Sequence, residues 1–315
     1  MPSWRNARPI SASSPGVPRM AAPETNLARW LVAARPHTLP LTVTPVVAGI
    51  GLAVHETGQI ALVTALLTLA AAVAIQIGTN LHNDATDFER GTDTAERLGP
   101  PRATAQGWFS ARQVKRAADL LFALAFLLGL ALVVRGGWPI LAIGLAALAG
   151  GYAYTGGPRP IAHGPFGELY AALFFGVVAV AGTHYLQTLS LGGPALLLGL
   201  ALGLLAAAVL LLNNYRDLDT DRIAGRRTLC HSLGRGGARL LYAGLLLAPL
   251  PLILIVFGWT AWPVLLALPF AGLLIARLLG GALGREINPL LGQTALYQMA
   301  LTILLLIGFG SSRLA

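Results

Sequence analysis

The sequence predicts an all-α membrane protein of about nine transmembrane helices, and three observations carry that expectation. Of 315 residues, 55% are hydrophobic and only 11% are charged, with a mean hydropathy of +0.68. A soluble domain is about one quarter charged. The apolar residues gather in runs near the ~20 residues that a helix needs to cross a bilayer core with every backbone group bonded internally. The Lys and Arg residues then alternate between connections, as they do where cytoplasmic loops keep positive charge.

Nine runs satisfy the length requirement. The first, Thr38 to Val54, is interrupted by Pro40 and Pro45, which membrane helices tolerate better than soluble ones. Ile60 to Asn83 is the second, and Ala117 to Val134 and Trp138 to Tyr154 are the third and fourth. Phe166 to Gln187 and Pro194 to Asn214 follow, then Leu240 to Phe257, Ala261 to Leu279 and Gln293 to Gly310. An odd number of crossings puts the termini on opposite sides. The N-terminal segment and the connections after helices two, four, six and eight then hold 20 of the 22 Lys and Arg residues, leaving only Arg135 and Arg313 opposite. The N-terminus and the long loops near 84–116 and 215–239 are therefore expected in the cytoplasm.

Residues 1–27, rich in Pro, Ser and Arg and without an apolar core of signal-peptide length, are expected to be a disordered cytoplasmic tail. Residues 28–315 form a single transmembrane domain in this reading. The net charge of +9 belongs to loops facing anionic membrane lipid, not to a nucleic-acid site. Cys230, the one cysteine, has no partner in the chain and is expected as a reduced cytoplasmic loop thiol.

The acidic residues are distributed unevenly. Eight of thirteen lie in the two long loops: Asp84, Asp87, Glu89, Asp93 and Glu96 in one, Asp217, Asp219 and Asp221 in the other. Asn80 and Asp84 at the end of helix two are four apart, as are Asn213 and Asp217 at the end of helix six, so each pair shares a helical face. Asp221 extends the second series by one turn. Carboxylates gathered at a membrane boundary repel unless a cation joins them, and hard oxygen donors suit Mg²⁺, which completes its shell with water and phosphate oxygens. The acids are read as a two-sided Mg²⁺ cradle for a diphosphate whose apolar tail lies among the helices; the alternative is solvated loop charge balancing nearby arginines. Arg102, Lys115, Arg159, Arg226 and Arg227 lie close enough in sequence to neutralise a leaving diphosphate.

The stretches "NLHNDATDFERGTDTAERLGPPRATAQG" and "NNYRDLDTDRIAGRRTLCHSLGR" resemble the two Asp-rich motifs of the UbiA superfamily of intramembrane prenyltransferases. "ARPHTLPLTVTPVVAG", "YTGGPRPIAHGPFGEL" and "FFGVVAVAGTHYLQT" are similar to its 1,4-dihydroxy-2-naphthoate polyprenyltransferase branch. The resemblance implies nine membrane helices around a central cavity. It also implies that Asn80, Asn83, Asp84 and Asp87 form the first metal site, with Asp93 nearby, and that Asn213, Asp217 and Asp221 form the second. Tyr154 and Arg159 match a family Tyr and basic residue after helix four. One departure is Gly91, which stands where many members carry a further Asp.

The implied reaction is Mg²⁺-assisted transfer of a polyprenyl group from polyprenyl diphosphate to the naphthoate. Loss of CO₂ and diphosphate would give a demethylmenaquinone. Polar residues inside the spans are candidates for binding the acceptor: His37, Gln76, Glu168, His184, Tyr185, Gln187, Gln293, Tyr297 and Gln298. Each could equally hydrogen-bond a neighbouring helix. Two rivals remain: another aromatic acceptor such as 4-hydroxybenzoate, and a cation-coupled transporter, whose site belongs near the bilayer midplane rather than at one surface.

Overall fold

The computed structural model describes residues 23–91 and 97–314, and among them every regular element is helical. Residues 1–22 of the expected tail, and Asp93 and Glu96 of the first acidic segment, lie outside the described residues. The expected tail runs two residues too far, because α1 (Asn26–Ala34) begins at Asn26, where the Thr25 hydroxyl accepts the Ala28 amide at 3.2 Å. The helix stops at Arg35, whose φ of 56° is left-handed. Pro36 excludes the α-helical region for its predecessor, and a non-glycine residue at this φ is strained. The chain then bends by 54° into α2 (Pro40–Thr57).

The helix α3 (Leu62–Glu89) follows and closes at Gly91, with φ 68°. The departure noted in the sequence thus has a local reason: glycine takes this left-handed turn without a Cβ penalty. Next come α4 (Ala111–Thr155), α5 (Gly167–Thr188) with a π-helical turn at Leu173–Val178, and α6 (Gly193–Arg216). The short α7 (Leu218–Ile223), then α8 (Leu229–Leu247), α9 (Pro249–Phe257), α10 (Leu268–Leu279) and α11 (Ile287–Leu314) complete the chain.

By length and apolar composition six helical stretches can cross a membrane, or seven if the bent α1–α2 pair is one span. That is fewer than the nine expected, and the difference arises at two breaks. Ala111–Thr155 is 45 residues long and Leu229–Leu279 is 51, each about twice one crossing, and each contains two of the expected segments. Gly137 and Gly258, at φ 67° and 59°, turn the chain and let helical bonding resume at once, so no open loop divides the segments.

The centre of the bundle is α6, apolar on every side and 67% buried along its span, against 22% for α4. Leu198, Leu202, Leu205 and Leu212 pack there with Tyr242 and Tyr297. A Cβ at Gly203 would sit 2.3 Å from the Ala172 carbonyl oxygen, and one at Gly176 2.3 Å from the Gly203 Cα. Thus α5 and α6 meet backbone to backbone, the approach small residues permit where apolar side chains gain nothing over lipid. Leu120, Leu127 and Val134 of α4 are exposed, as side chains facing lipid should be.

Candidate active site

Helices α3 and α6 bring their polar ends to one cavity of about 780 Å³. Its apolar wall includes Leu132, Ile140, Val178 and Leu186, with Tyr154, Tyr170 and Phe174 adding aromatic faces. The π-helical turn in α5 carries Phe174, Phe175 and Val178 onto this wall, and such turns re-aim side chains at functional sites.

The polar stripe on α3 is Gln76, Asn80, Asn83 and Asp87, all lining the cavity. At 100° per residue these four directions fall within roughly 60° of one another. Asp84 points roughly 100° away from its neighbour Asn83 and does not line the cavity. Its buried carboxylate accepts the Ala103 amide at 2.8 Å and the Thr104 amide at 3.1 Å, as well as the Thr104 hydroxyl. Asp84, expected as a metal ligand, thus holds the loop that carries Arg102.

Asp87 accepts from Arg102 at 2.8 Å and from Arg226 at 3.2 Å, and Arg226 also reaches Asp221 at 3.4 Å. One guanidinium therefore joins the two acidic segments. Arg216 grips Asp217 at 2.7 and 2.5 Å and donates to Asn213 and Asn288, each at 2.8 Å. Asn288 in turn donates to the Leu98 carbonyl at 2.9 Å, tying α11 to the loop before Arg102. The side-chain Oδ1 of Asn83 accepts the Thr155 hydroxyl at 2.6 Å. Burial pushes Asp221 up to about 6 against the pull of Arg226. His163 is pushed down to about 4 by burial and then by Arg226, and its carbonyl accepts the Arg227 amide at 3.0 Å.

Of the basic residues singled out from sequence, Arg102 and Arg226 line the cavity. Lys115 pairs with Glu89 at 2.5 Å, while Arg159 and Arg227 are exposed and do not line it. Arg35, Arg97 and Arg216, which spacing did not single out, do line it. A signal existed for Arg216, which directly precedes Asp217 and lies three residues after Asn213. Tyr154 lines the cavity as expected, as do Asn213, Asp217 and Asp221.

The polar residues inside the spans divide in two. His37 and Gln76 line the cavity, whereas others tie the helices together. His184 meets Glu56 at 2.7 Å, Tyr185 donates to the Gly136 carbonyl, Gln187 accepts the Ala61 amide, and Tyr297 donates to the Leu246 carbonyl. Gln293 accepts from Arg277, and Glu168 accepts from Asn214 at 2.9 Å. Gln298 is buried without contributing to the cavity wall. Cys230, expected in a loop, is fully buried in the first turn of α8, with its sulfur 3.6 Å from the Leu211 carbonyl.

Among the described residues no three Asp, Glu, His or Cys side chains converge as a metal cluster. Mg²⁺ does not need three: it takes one or two carboxylates and fills its shell with water and substrate phosphate. Asp87, Asp217 and Asp221, with amide oxygens from Asn80 and Asn83, are the hard donors it favours, so the residues present fit that ion.

Residues 42–287 match the UbiA prenyltransferase family. A 1,4-dihydroxy-2-naphthoate octaprenyltransferase from Mycobacterium tuberculosis is 39% identical over 289 residues, 90% of this chain and 98% of that protein. A UbiA homolog from Aeropyrum pernix K1, solved in its apo form, shares the fold with a TM-score of 0.63 at 20% identity, over 87% of this chain and 98% of that one. A UbiA homolog from Archaeoglobus fulgidus, solved bound to DMAPP and Mg²⁺, gives 0.61 at 18% identity, over 91% and 100%.

Proposed function

This chain belongs to the UbiA prenyltransferase family, and we propose that it transfers a polyprenyl group from polyprenyl diphosphate to 1,4-dihydroxy-2-naphthoate. The observation that carries this reading is the polarity of the cavity, whose one end is charged and whose remainder is apolar and aromatic. Five arginines and three aspartates line it, a balance of 5 − 3 = +2, which suits a polyanion and not a cation alone. The diphosphate lies against Arg35, Arg102, Arg216 and Arg226, and the isoprenoid tail lies along Ile140, Val178 and Leu186.

Mg²⁺ held by Asp87, Asp217 and Asp221 would supply further neutralisation of the leaving diphosphate. The arginines stabilise that charge as the allylic carbon–oxygen bond breaks. The faces of Tyr154, Tyr170 and Phe174 attract the allylic cation, and the apolar wall keeps water from quenching it. The acceptor carbon bearing the carboxylate attacks; with no proton there to lose, the ring regains aromaticity by releasing CO₂. The product is the quinol form of demethylmenaquinone. The protein is an integral membrane protein; the proposal reads it as a single transmembrane domain in a bacterial inner membrane, and the arginine distribution supports an N-terminus and cavity mouth facing the cytoplasm.

The test uses the naphthoate labelled at its carboxyl carbon. Labelled CO₂ should appear in step with diphosphate, one per turnover, and only with Mg²⁺ or a similar hard cation present. Retention of label in the prenylated product, or faster turnover of 4-hydroxybenzoate, overturns the assignment of acceptor.

A further inference from the structure

The bend between α1 and α2 carries a hydrogen-bond chain whose directions are fixed by chemistry. The Thr38 hydroxyl donates to the Arg35 carbonyl at 2.9 Å, and a carbonyl can only accept. Having donated its one proton, the Thr38 oxygen can only accept from the groups that meet it. Two do: the amide nitrogens of Gln76 at 3.2 Å and of Asn80 at 3.0 Å. The Asn80 nitrogen also donates to the Ala34 carbonyl at 3.0 Å. Both N–H groups of Asn80 are therefore committed to α1 and the bend, and one of Gln76's is.

The orientation of each amide follows without choice. Asn80 has nothing left to offer the cavity except its Oδ1; Gln76, its nitrogen held by Thr38, offers its Oε1 together with its second N–H. Among the described residues neither oxygen accepts a hydrogen bond, yet neither is sealed off, and both residues line the cavity. Gln76 lies one helical turn, roughly 6 Å, deeper than Asn80.

We infer that Thr38 is a positioning residue that locks both amides with their oxygens facing the cavity. Asn80 Oδ1 is thereby a donor to the cation that accompanies the diphosphate, and Gln76 Oε1 is an acceptor for a phenolic hydroxyl of the aromatic substrate. The depth of Gln76 fits that role: the allylic carbon lies just inside the diphosphate, and the attacking ring must lie beside it. This inference rests on the prenyl-transfer reading.

The experiment compares the wild type with Thr38→Val, which keeps the shape but removes the oxygen, and Thr38→Ser, which keeps the oxygen but removes the methyl group. Binding of Mn²⁺, read by electron paramagnetic resonance with inorganic diphosphate present, requires no turnover. Thr38→Val should weaken Mn²⁺ by about tenfold, the lower end for losing a group that orients a ligand, and should raise KM for the naphthoate more than it lowers kcat. Thr38→Ser should restore both. Asn80→Asp tests direction: a plain ligand binds Mn²⁺ more tightly as a carboxylate, whereas a carboxylate facing the Ala34 carbonyl cannot hold the observed pose, so weaker binding is expected. Wild-type affinity in Thr38→Val, failure of Thr38→Ser to restore it, or tighter binding by Asn80→Asp each overturns the inference. Absence of naphthoate turnover in the wild type would instead defeat the functional reading, and the Mn²⁺ arms would still decide the role of Thr38.

Discussion

Asp84→Ala separates two accounts of the first acidic segment. If Asp84 binds metal, its loss lowers cation affinity and leaves the fold unchanged. The structure instead gives its carboxylate three donors, the amides of Ala103 and Thr104 and the Thr104 hydroxyl, all in residues that are almost fully buried. A buried donor left without a partner costs about 1–3 kcal/mol. The Thr104 hydroxyl keeps the Asp84 backbone carbonyl, 3.1 Å away, so two amides lose their partner, at about 2–6 kcal/mol of local stability. The loop bears Arg102 immediately before Ala103, so loosening it withdraws the guanidinium now 2.8 Å from Asp87. Backbone hydrogen exchange in detergent micelles should accelerate across residues 97–107 in the variant, and prenyl transfer should fall with it. Mn²⁺ affinity should stay near that of the wild type, whereas Asp87→Ala should lower it by about tenfold or more. Unchanged exchange in that loop, together with a loss of Mn²⁺ affinity equal to that of Asp87→Ala, would refute the anchoring role.

Two further outcomes follow from packing and titration. Gly203→Val places a Cβ 2.3 Å from the Ala172 carbonyl and should destabilise the α5–α6 contact by about 1–3 kcal/mol or more. Gly244→Ala, with nothing within 4 Å of its Cβ, should leave the thermal midpoint unchanged or raise it. His163 is held neutral in the folded chain, with its pKa at about 4 instead of 6.5. Below pH 6.5 the unfolded chain takes the proton first, so the His163 contribution to stability should fall between pH 6.5 and 4 and then level off, offset in part by Asp221, whose raised pKa of about 6 acts in the opposite sense. Partial exposure limits that loss to about 2 kcal/mol, and a denaturant series should show it as the difference in pH slope between the wild type and His163→Asn.

Part of the site's layout was legible in the sequence because helical spacing is regular: of the pairs that spacing joined, Asn80, Asn213 and Asp217 do line the cavity, while Asp87 was reached through the motif. The same spacing does not tell that Asp84, at the edge of the cavity-lining face, turns to a loop instead of the cavity. Its direction is decided by a loop that folds back over α3 from nineteen residues away, and periodicity holds no information about that loop. The arginines were harder still. As positive-inside charges Arg35 and Arg97 look like any others, and only their place on the cavity wall distinguishes them from exposed Arg159 and Arg227, whereas Arg216 stands beside Asp217 in sequence. The helix count differs slightly for a third reason, since Gly137 and Gly258 each join into one helical stretch two segments that hydropathy counts separately.

The pairing of these charges alters the meaning of the acidic clusters. Read alone, the carboxylates await a cation; in the fold each already has an arginine, Arg102 and Arg226 for Asp87, Arg226 for Asp221, and Arg216 for Asp217. A cation arriving alone would displace guanidinium groups into a buried, already positive mouth, and a diphosphate arriving alone would strand carboxylates. Leaving one member of a buried pair uncompensated costs about 3–5 kcal/mol. On the proposed reading the two ligands together avoid both penalties, because the cation takes the aspartates while the released arginines turn to phosphate. The charges then exchange partners and none is left unpaired. Each ligand should therefore raise the affinity for the other by the same factor, since coupling between two binding events is reciprocal. The paired arginines thus make the site responsive to the complete substrate complex and poorly receptive to either half of it.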